Sequence, residues 1–89
     1  MVSVFVRISV KDYSLWRTAY DGLYELQKKS GMESHTVYQE IGEPDEVTVV
    51  SEFSTYEQAK AFGEHPRLRQ AMMSAGVLEP PDVWYAQKV

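Results

Sequence analysis

Val2, Val4, Val6, Ile8 and Val10 alternate with Ser3, Phe5, Arg7 and Ser9 over the first ten residues. This period of two belongs to a half-buried strand, since no helical face collects those five aliphatics. Asp12 then stands where a carboxylate caps a helix. Leu15, Trp16, Ala19, Tyr20, Leu23 and Leu26 recur at spacings of three and four, which predicts a helix over about 13–30. Lys28 and Lys29 suit its C-terminal dipole, and Gly31 closes it in the left-handed conformation. A second alternating run over about 33–41 puts His35, Val37, Gln39 and Ile41 on one side and Ser34, Thr36, Tyr38 and Glu40 on the other. Gly42-Glu43-Pro44-Asp45 has turn chemistry, and Val47 to Phe53 makes the return strand of a hairpin.

Ser54-Thr55-Tyr56-Glu57 has the spacing of a capping box opening a second helix, with Ala59, Phe62, Leu68, Ala71, Met72 and Ala75 on its buried side. His65-Pro66 breaks or kinks it, because proline lacks an amide hydrogen. Gly76 ends it, and Val77 is placed for the accompanying hydrophobic contact. Pro80 and Pro81 bar further helix, and 82–89 reads as a last strand carrying Trp84 and Tyr85. Strand, helix, strand, strand, helix, strand is the ferredoxin-like βαββαβ plan. It is an α+β fold with a four-stranded antiparallel sheet and both helices on one face. The first strand is expected at the centre, beside the third. The uncovered face then holds Phe5, Arg7, Tyr38, Val50 and Glu52, too apolar a surface to stay wet. A two-fold homodimer burying it is the simplest solution.

At 89 residues the chain is read as one domain, 1–89, of a size that gains from oligomerising. A formal net charge of -4 and the absence of a basic run argue against a nucleic-acid partner. With no cysteine, disulfides, thiol nucleophiles and thiolate metal sites are excluded. No apolar run reaches the ~20 residues of a membrane span. Without a signal-type N-terminus, a cytoplasmic location is expected.

Candidate chemistry is sparse. His35, if it faces the helices, points toward the cleft between sheet and helices, where imidazole suits proton transfer; a one-residue register slip would turn it to the other side. The competing view is a half-exposed strand histidine without a chemical role. His65 is a second candidate base, against the simpler role of capping the helix that Pro66 opens. Two histidines without converging carboxylates make no metal site. Trp16 and Tyr20, four residues apart, can stack on a flat ligand or merely fill the core. Ser51, Phe53, Phe62, Met72 and Tyr85 complete the candidate substrate-binding set. Trp84 and Tyr85 must point to opposite faces, and the pattern does not say which faces the cleft. Arg7 and Glu52 are expected to pair across adjacent strands on the open face.

Val6-Arg7, Val10, Asp12-Tyr13, Trp16, Pro44-Asp45-Glu46-Val47, Glu52-Phe53, Ala59, Ala61-Phe62, Leu68-Arg69, Ala71-Met72, Ala75-Gly76-Val77 and Pro80-Pro81-Asp82-Val83 together resemble the dimeric α+β barrel superfamily. Within it, the chain is similar to short bacterial proteins of the antibiotic-biosynthesis-monooxygenase-like and cyclase-like kinds. The resemblance implies a homodimer with a ligand cleft in each subunit, and its relatives include cofactor-independent monooxygenases, haem-degrading oxygenases and polyketide cyclases. Fold alone does not choose among them. Where the haem-degrading branch has an asparagine, a tryptophan and a histidine, this chain has Val6, Phe53 and about Met72. Where the cyclase branch has His-Pro-x-His and a tyrosine, it has His65-Pro66-Arg67-Leu68 and Phe62. The resulting expectation is a small aromatic or polyketide-like ligand under Trp16 and Tyr20, no cofactor, and cofactor-independent oxygenation or ring closure with His35 carrying the proton. The alternative is a non-catalytic homodimeric binding or accessory domain whose cleft is filled by side chains.

Overall fold

The structure is a computed structural model covering Met1–Val89. Strand β1 (Val2–Ser9) is followed by helices α1 (Tyr13–Asp21) and α2 (Tyr24–Lys29), then by strands β2 (Ser34–Glu40) and β3 (Glu43–Phe53). Helices α3 (Tyr56–Gly63) and α4 (Pro66–Ser74) and strand β4 (Asp82–Gln87) complete the chain. The sheet order is β2-β3-β1-β4, antiparallel throughout, so β1 is central beside β3 as its alternation requires.

Register assigns every side chain to a face. Val2, Val4, Val6 and Ile8 lie opposite Phe53, Ser51, Val49 and Val47, and this side meets the helices. One cluster gathers Ile8, Val10, Trp16, Tyr20, Val47, Val49 and Ala75. A second gathers Val4, Leu23, Leu26, Phe53, Ala59 and Phe62. Val6 and Met72 pack against both and join them into one interior. Each fully buried aliphatic or aromatic side chain contributes about 1.5–3 kcal/mol.

The capping residues settle where the helices run. Asp12 accepts the amides of Ser14 and Leu15, which starts α1 as expected. The single helix expected over 13–30 is instead two. The amide of Leu23 turns back to the Tyr20 carbonyl, a tightened i→i+3 bond, and the α-helical ladder resumes with Gln27 bonding Leu23. Gly31, at φ 83°, closes α2 with its own amide on Lys28 and that of Met32 on Gln27, the paired bonds of a Schellman motif. The capping box exists, but one residue later than Ser54 and Glu57: Thr55 accepts from the Gln58 amide, and the Gln58 side chain accepts from the Thr55 amide. His65-Pro66 separates α3 from α4, and Gly76 (φ 82°) ends the latter.

The hairpin also differs from expectation. Its loop is Ile41-Gly42 alone, with Gly42 at φ 83° in the position that demands it. Glu43, Pro44 and Asp45 belong to β3. Pairing jumps from Gln39 opposite Val47 to Glu40 opposite Glu43, so Pro44 falls in an irregularity where no ladder amide is needed. Asp45 is then free to tie α1 to the sheet, its carboxylate accepting the Tyr13 amide and its carbonyl the Val10 amide.

On the open face, Phe5 and Trp84 stack with centroids 5.4 Å apart and planes 5° from parallel. Tyr85 is on the helical side, opposite Val4, which answers the question the pattern left. Its hydroxyl lies so close to Gly63 that a Cβ there would come within 2.6 Å of the oxygen. Arg7 does not pair with Glu52. It sits opposite Thr48, four residues away along β3, and bonds Glu40 at 3.3 Å, while Glu52 lies opposite Ser3.

The displaced cap is directly testable. Thr55→Ala is expected to cost about 1 kcal/mol, read as a melting temperature lower by roughly 4–8 °C. Ser54→Ala loses only an exposed bond to Glu33 and should stay within about 0.5 kcal/mol. Thermal melts of both variants check the assignment, and the reverse ranking would restore the earlier box.

Candidate functional site

Built outward from the core, the site begins at α1. Its buried stripe sets Tyr13, Trp16 and Tyr20 in sequence along one face, with Trp16 and Tyr20 stacked at 4.9 Å. Trp16 has no exposed surface, and its indole Nε1 donates to the Met72 sulfur at 3.4 Å. Phe53 is equally buried and packs on Phe62 at 5.6 Å. Trp16 thus rests on Met72 and Phe53 on Phe62, in two clusters that Met72 joins. These side chains line the interior beneath Trp16 and Tyr20. Ser51 is buried too, between Val4 and His35 in register. Tyr85 lies at the other edge of the helical side, edge-on to Tyr56 at 5.5 Å.

The aromatic run ends at the edge of the sheet. His35 lies opposite Ser51 on β2, on the helical side, and its Nδ1 is 2.7 Å from the Tyr20 hydroxyl. Burial pushes the Tyr20 phenol up to about 12, partly offset by the nearby Arg17 charge and by the Gln27 side chain. The phenol is therefore protonated at neutral pH, and its hydrogen needs an acceptor. His35 Nδ1 supplies one, which leaves a neutral imidazole carrying its hydrogen on Nε2. If the phenol rotates to become the acceptor, Nδ1 carries the hydrogen and Nε2 is free to take a proton. The direction of one O–H bond decides whether His35 presents a donor or a base.

Gln27 is the residue that the sequence reading missed. It is buried, and its Nε2 has no hydrogen-bond partner. It falls seven residues after Tyr20 and four after Leu23, so a polar side chain on the apolar stripe was its signal. With His35, Lys28 and Tyr24 it lines an open groove of about 240 Å³ between α2 and the start of β2, whose lining Met32, Glu33 and Ser34 complete. His65 does not line this groove. It caps α4, its Nδ1 accepting the Arg67 amide at 3.1 Å, so a base at that position would have to surrender the cap. Leu68 is half-buried beside the core, and nothing in the arrangement favours the cyclase chemistry.

Phe5, Arg7, Tyr38, Val50 and Glu52 all lie on the open side of the sheet by register, joined there by Trp84. Tyr38 and Trp84 keep 55% and 45% of their surface exposed, unusual for aromatic side chains on a sheet face. No group of three or more histidine, aspartate or glutamate side chains is arranged to hold a metal ion. No helix is long and apolar enough to cross a membrane.

Neither a family model nor a curated protein matches the chain by sequence. Solved structures do match it along its whole length. It superposes on a protein from Bordetella bronchiseptica described as an antibiotic biosynthesis monooxygenase with a TM-score of 0.82, at 18% identity over 99% of this chain and 96% of that one. A similarly described protein from Nitrosomonas europaea gives 0.79, at 18% identity over 100% and 99%. A variant of SnoaB, a cofactor-independent oxygenase from Streptomyces nogalater, gives 0.75, at 11% identity over 99% and 94%. The chain has the ferredoxin-like α+β fold of the antibiotic-biosynthesis-monooxygenase-like proteins.

Proposed function

We propose that the chain works as a homodimer that binds a small aromatic molecule and promotes its cofactor-independent oxygenation at the His35 groove. The observation that carries this is the 2.7 Å contact between the buried Tyr20 hydroxyl and His35, which lines the groove. A phenolic carbon acid that loses a proton becomes an electron-rich enolate able to reduce dioxygen directly. The resulting hydroperoxide collapses to a carbonyl and one water, so a methylene plus dioxygen gives a ketone plus water. The protein's task is to accept that first proton and hold the oxyanion. His35 can do either, according to the direction of the Tyr20 hydroxyl. The groove is smaller than the ~300–1,000 Å³ typical of drug-sized ligands, which suits one or two rings better than a long polyketide.

Dimerisation is read from the open face. Phe5, Trp84, Val50 and Tyr38 present an apolar surface on one side of a sheet whose other side is already covered. A second copy applied there by a two-fold axis buries both surfaces. A second functional reading is a homodimeric binding or accessory domain without chemistry, favoured by the complete burial of Trp16 and Phe53.

Oxygen uptake with anthrone and with smaller one-ring phenols tests the chemistry. His35→Ala is expected to slow it about 10²-fold, and equal rates would remove His35 from the mechanism. No uptake by an intact dimer would favour the binding domain. For assembly, light scattering is expected to give twice the 10.2 kDa chain mass, and Val50→Glu to give a folded monomer; a wild-type monomer at micromolar concentration contradicts the proposal. A third measurement needs no substrate. Because the folded state holds the Tyr20 phenol near 12 against an ordinary 10, its contribution to stability is complete below pH 10 and disappears as pH rises toward 12. Denaturant melts from pH 9 to 12 should show a shallower decline in Tyr20→Phe than in wild type.

A further inference from the structure

We infer that the groove between α2 and β2 is a recognition site for a small aromatic acid, with Gln27, Lys28 and His35 holding the anionic oxygen and Tyr24 and Met32 the ring. The inference rests on the reading that this groove, and not the interior, receives the ligand. Its starting point is the amide of Gln27. The residue keeps only 5% of its surface, and its Nε2, shut from solvent, faces the Tyr20 phenol but makes no hydrogen bond of good geometry to any acceptor. An unmade hydrogen bond at a buried donor costs roughly 1–3 kcal/mol, so an acceptor seated there recovers what folding leaves unsatisfied. Gln27 is part of the groove lining, and the last torsion of a glutamine is soft. A turn of the amide is the motion by which an N–H would reach an oxygen on the groove floor.

The neighbouring groups agree on the sign of that oxygen. In the tautomer that satisfies the Tyr20 hydroxyl, His35 carries its hydrogen on Nε2 and is a donor. Lys28 adds a full positive charge on the same wall. The one carboxylate in the lining, Glu33, accepts a bond from the Ser54 hydroxyl at 3.1 Å, which draws it toward the start of α3. Three donors, one of them fully charged, face a single carboxylate already engaged by Ser54, and that balance favours an anion over a neutral ligand. The rest of the lining decides the ligand's body. Tyr24 is 60% exposed, which leaves its ring available to something flat, and Met32 adds a soft apolar surface to the lining. A volume of about 240 Å³ admits a substituted single ring with its carboxylate.

Titration of the ¹⁵N-labelled protein with benzoate, benzamide and benzyl alcohol tests this. Benzoate is expected to shift the amides of α2 and the start of β2, binding at least tenfold more tightly than benzamide or benzyl alcohol. Gln27→Leu, which removes the orphan donor at nearly constant volume, should weaken benzoate at least fivefold. Should that variant not fold, Lys28→Met on the exposed side of α2 should weaken benzoate two- to threefold and leave benzyl alcohol unchanged. Equal binding of the three probes, shifts confined to other parts of the chain, or full benzoate affinity in a folded Gln27→Leu protein would each overturn the assignment. Oxygen uptake without selective benzoate binding also overturns it while sparing the oxygenation. Selective benzoate binding without uptake supports the site and retires the oxygenation.

Discussion

Two strands in register impose a division of labour on everything else in this chain. Because Val4, Val6 and Ile8 lie opposite Ser51, Val49 and Val47, the alternating pattern of one strand coincides with that of the other. The sheet acquires one face that must be covered and one that is mixed. A slip of a single residue would send the aliphatics to the wrong side, so the register is held by the burial itself. The helices follow from it: Trp16, Leu23, Leu26, Ala59 and Phe62 have somewhere to go only because that face is continuous. The same division leaves Phe5, Trp84 and Tyr38 together on the far side.

Filling the interior has a price in function. A large indole with no exposed surface, braced by Met72 and stacked on Tyr20, offers solvent no face between sheet and helices. Chemistry is displaced to the rim, where the aromatic run passes its last hydroxyl to His35. At the rim, water competes for every polar contact, so selectivity has to come from groups already desolvated. Tyr20, Gln27 and Ser51 qualify, and the first two lie on the buried stripe of the first helical segments. The interior thereby prepares the rim: it holds a phenol protonated and an amide unsatisfied at the border with solvent.

Much of this architecture was legible in the residues, because strong periodicity and capping chemistry are local. The central strand, the Asp12 cap, the Gly31 and Gly76 stops and the break at His65-Pro66 need only a few neighbours to be read. The misses are those where a distant contact overrides a local preference. Pro44 and Asp45 look like a turn, yet they extend β3 because an irregularity absorbs the proline and Asp45 is recruited by Val10 and Tyr13. Either Ser54 or Thr55 can open α3, and tertiary placement of Gln58 decides for Thr55. Arg7 and Glu52 have complementary charges, but the pairing offset separates them and Glu40 takes the arginine. For the site, His35 was visible and its side of the sheet inferable. Gln27 was not singled out, since one polar residue among apolar ones reads as tolerance until its amide is seen to lack a partner.

The edge strand joins these themes. β2 is hydrogen-bonded along one side only, to β3, and almost all its side chains are exposed. Apart from Val37 packing on the core, its connection to the helical layer is the bond from Tyr20 to His35. The residue offered for chemistry is therefore also one that holds the edge of the sheet in place. Rotation of the Tyr20 hydroxyl keeps that tie intact in both directions, as donor or as acceptor, so His35 can present either tautomer without releasing the strand. A phenol suits this position for that reason. A serine would not span the distance from the helix, and a carboxylate, always an acceptor when ionised, would lock the imidazole in one tautomer.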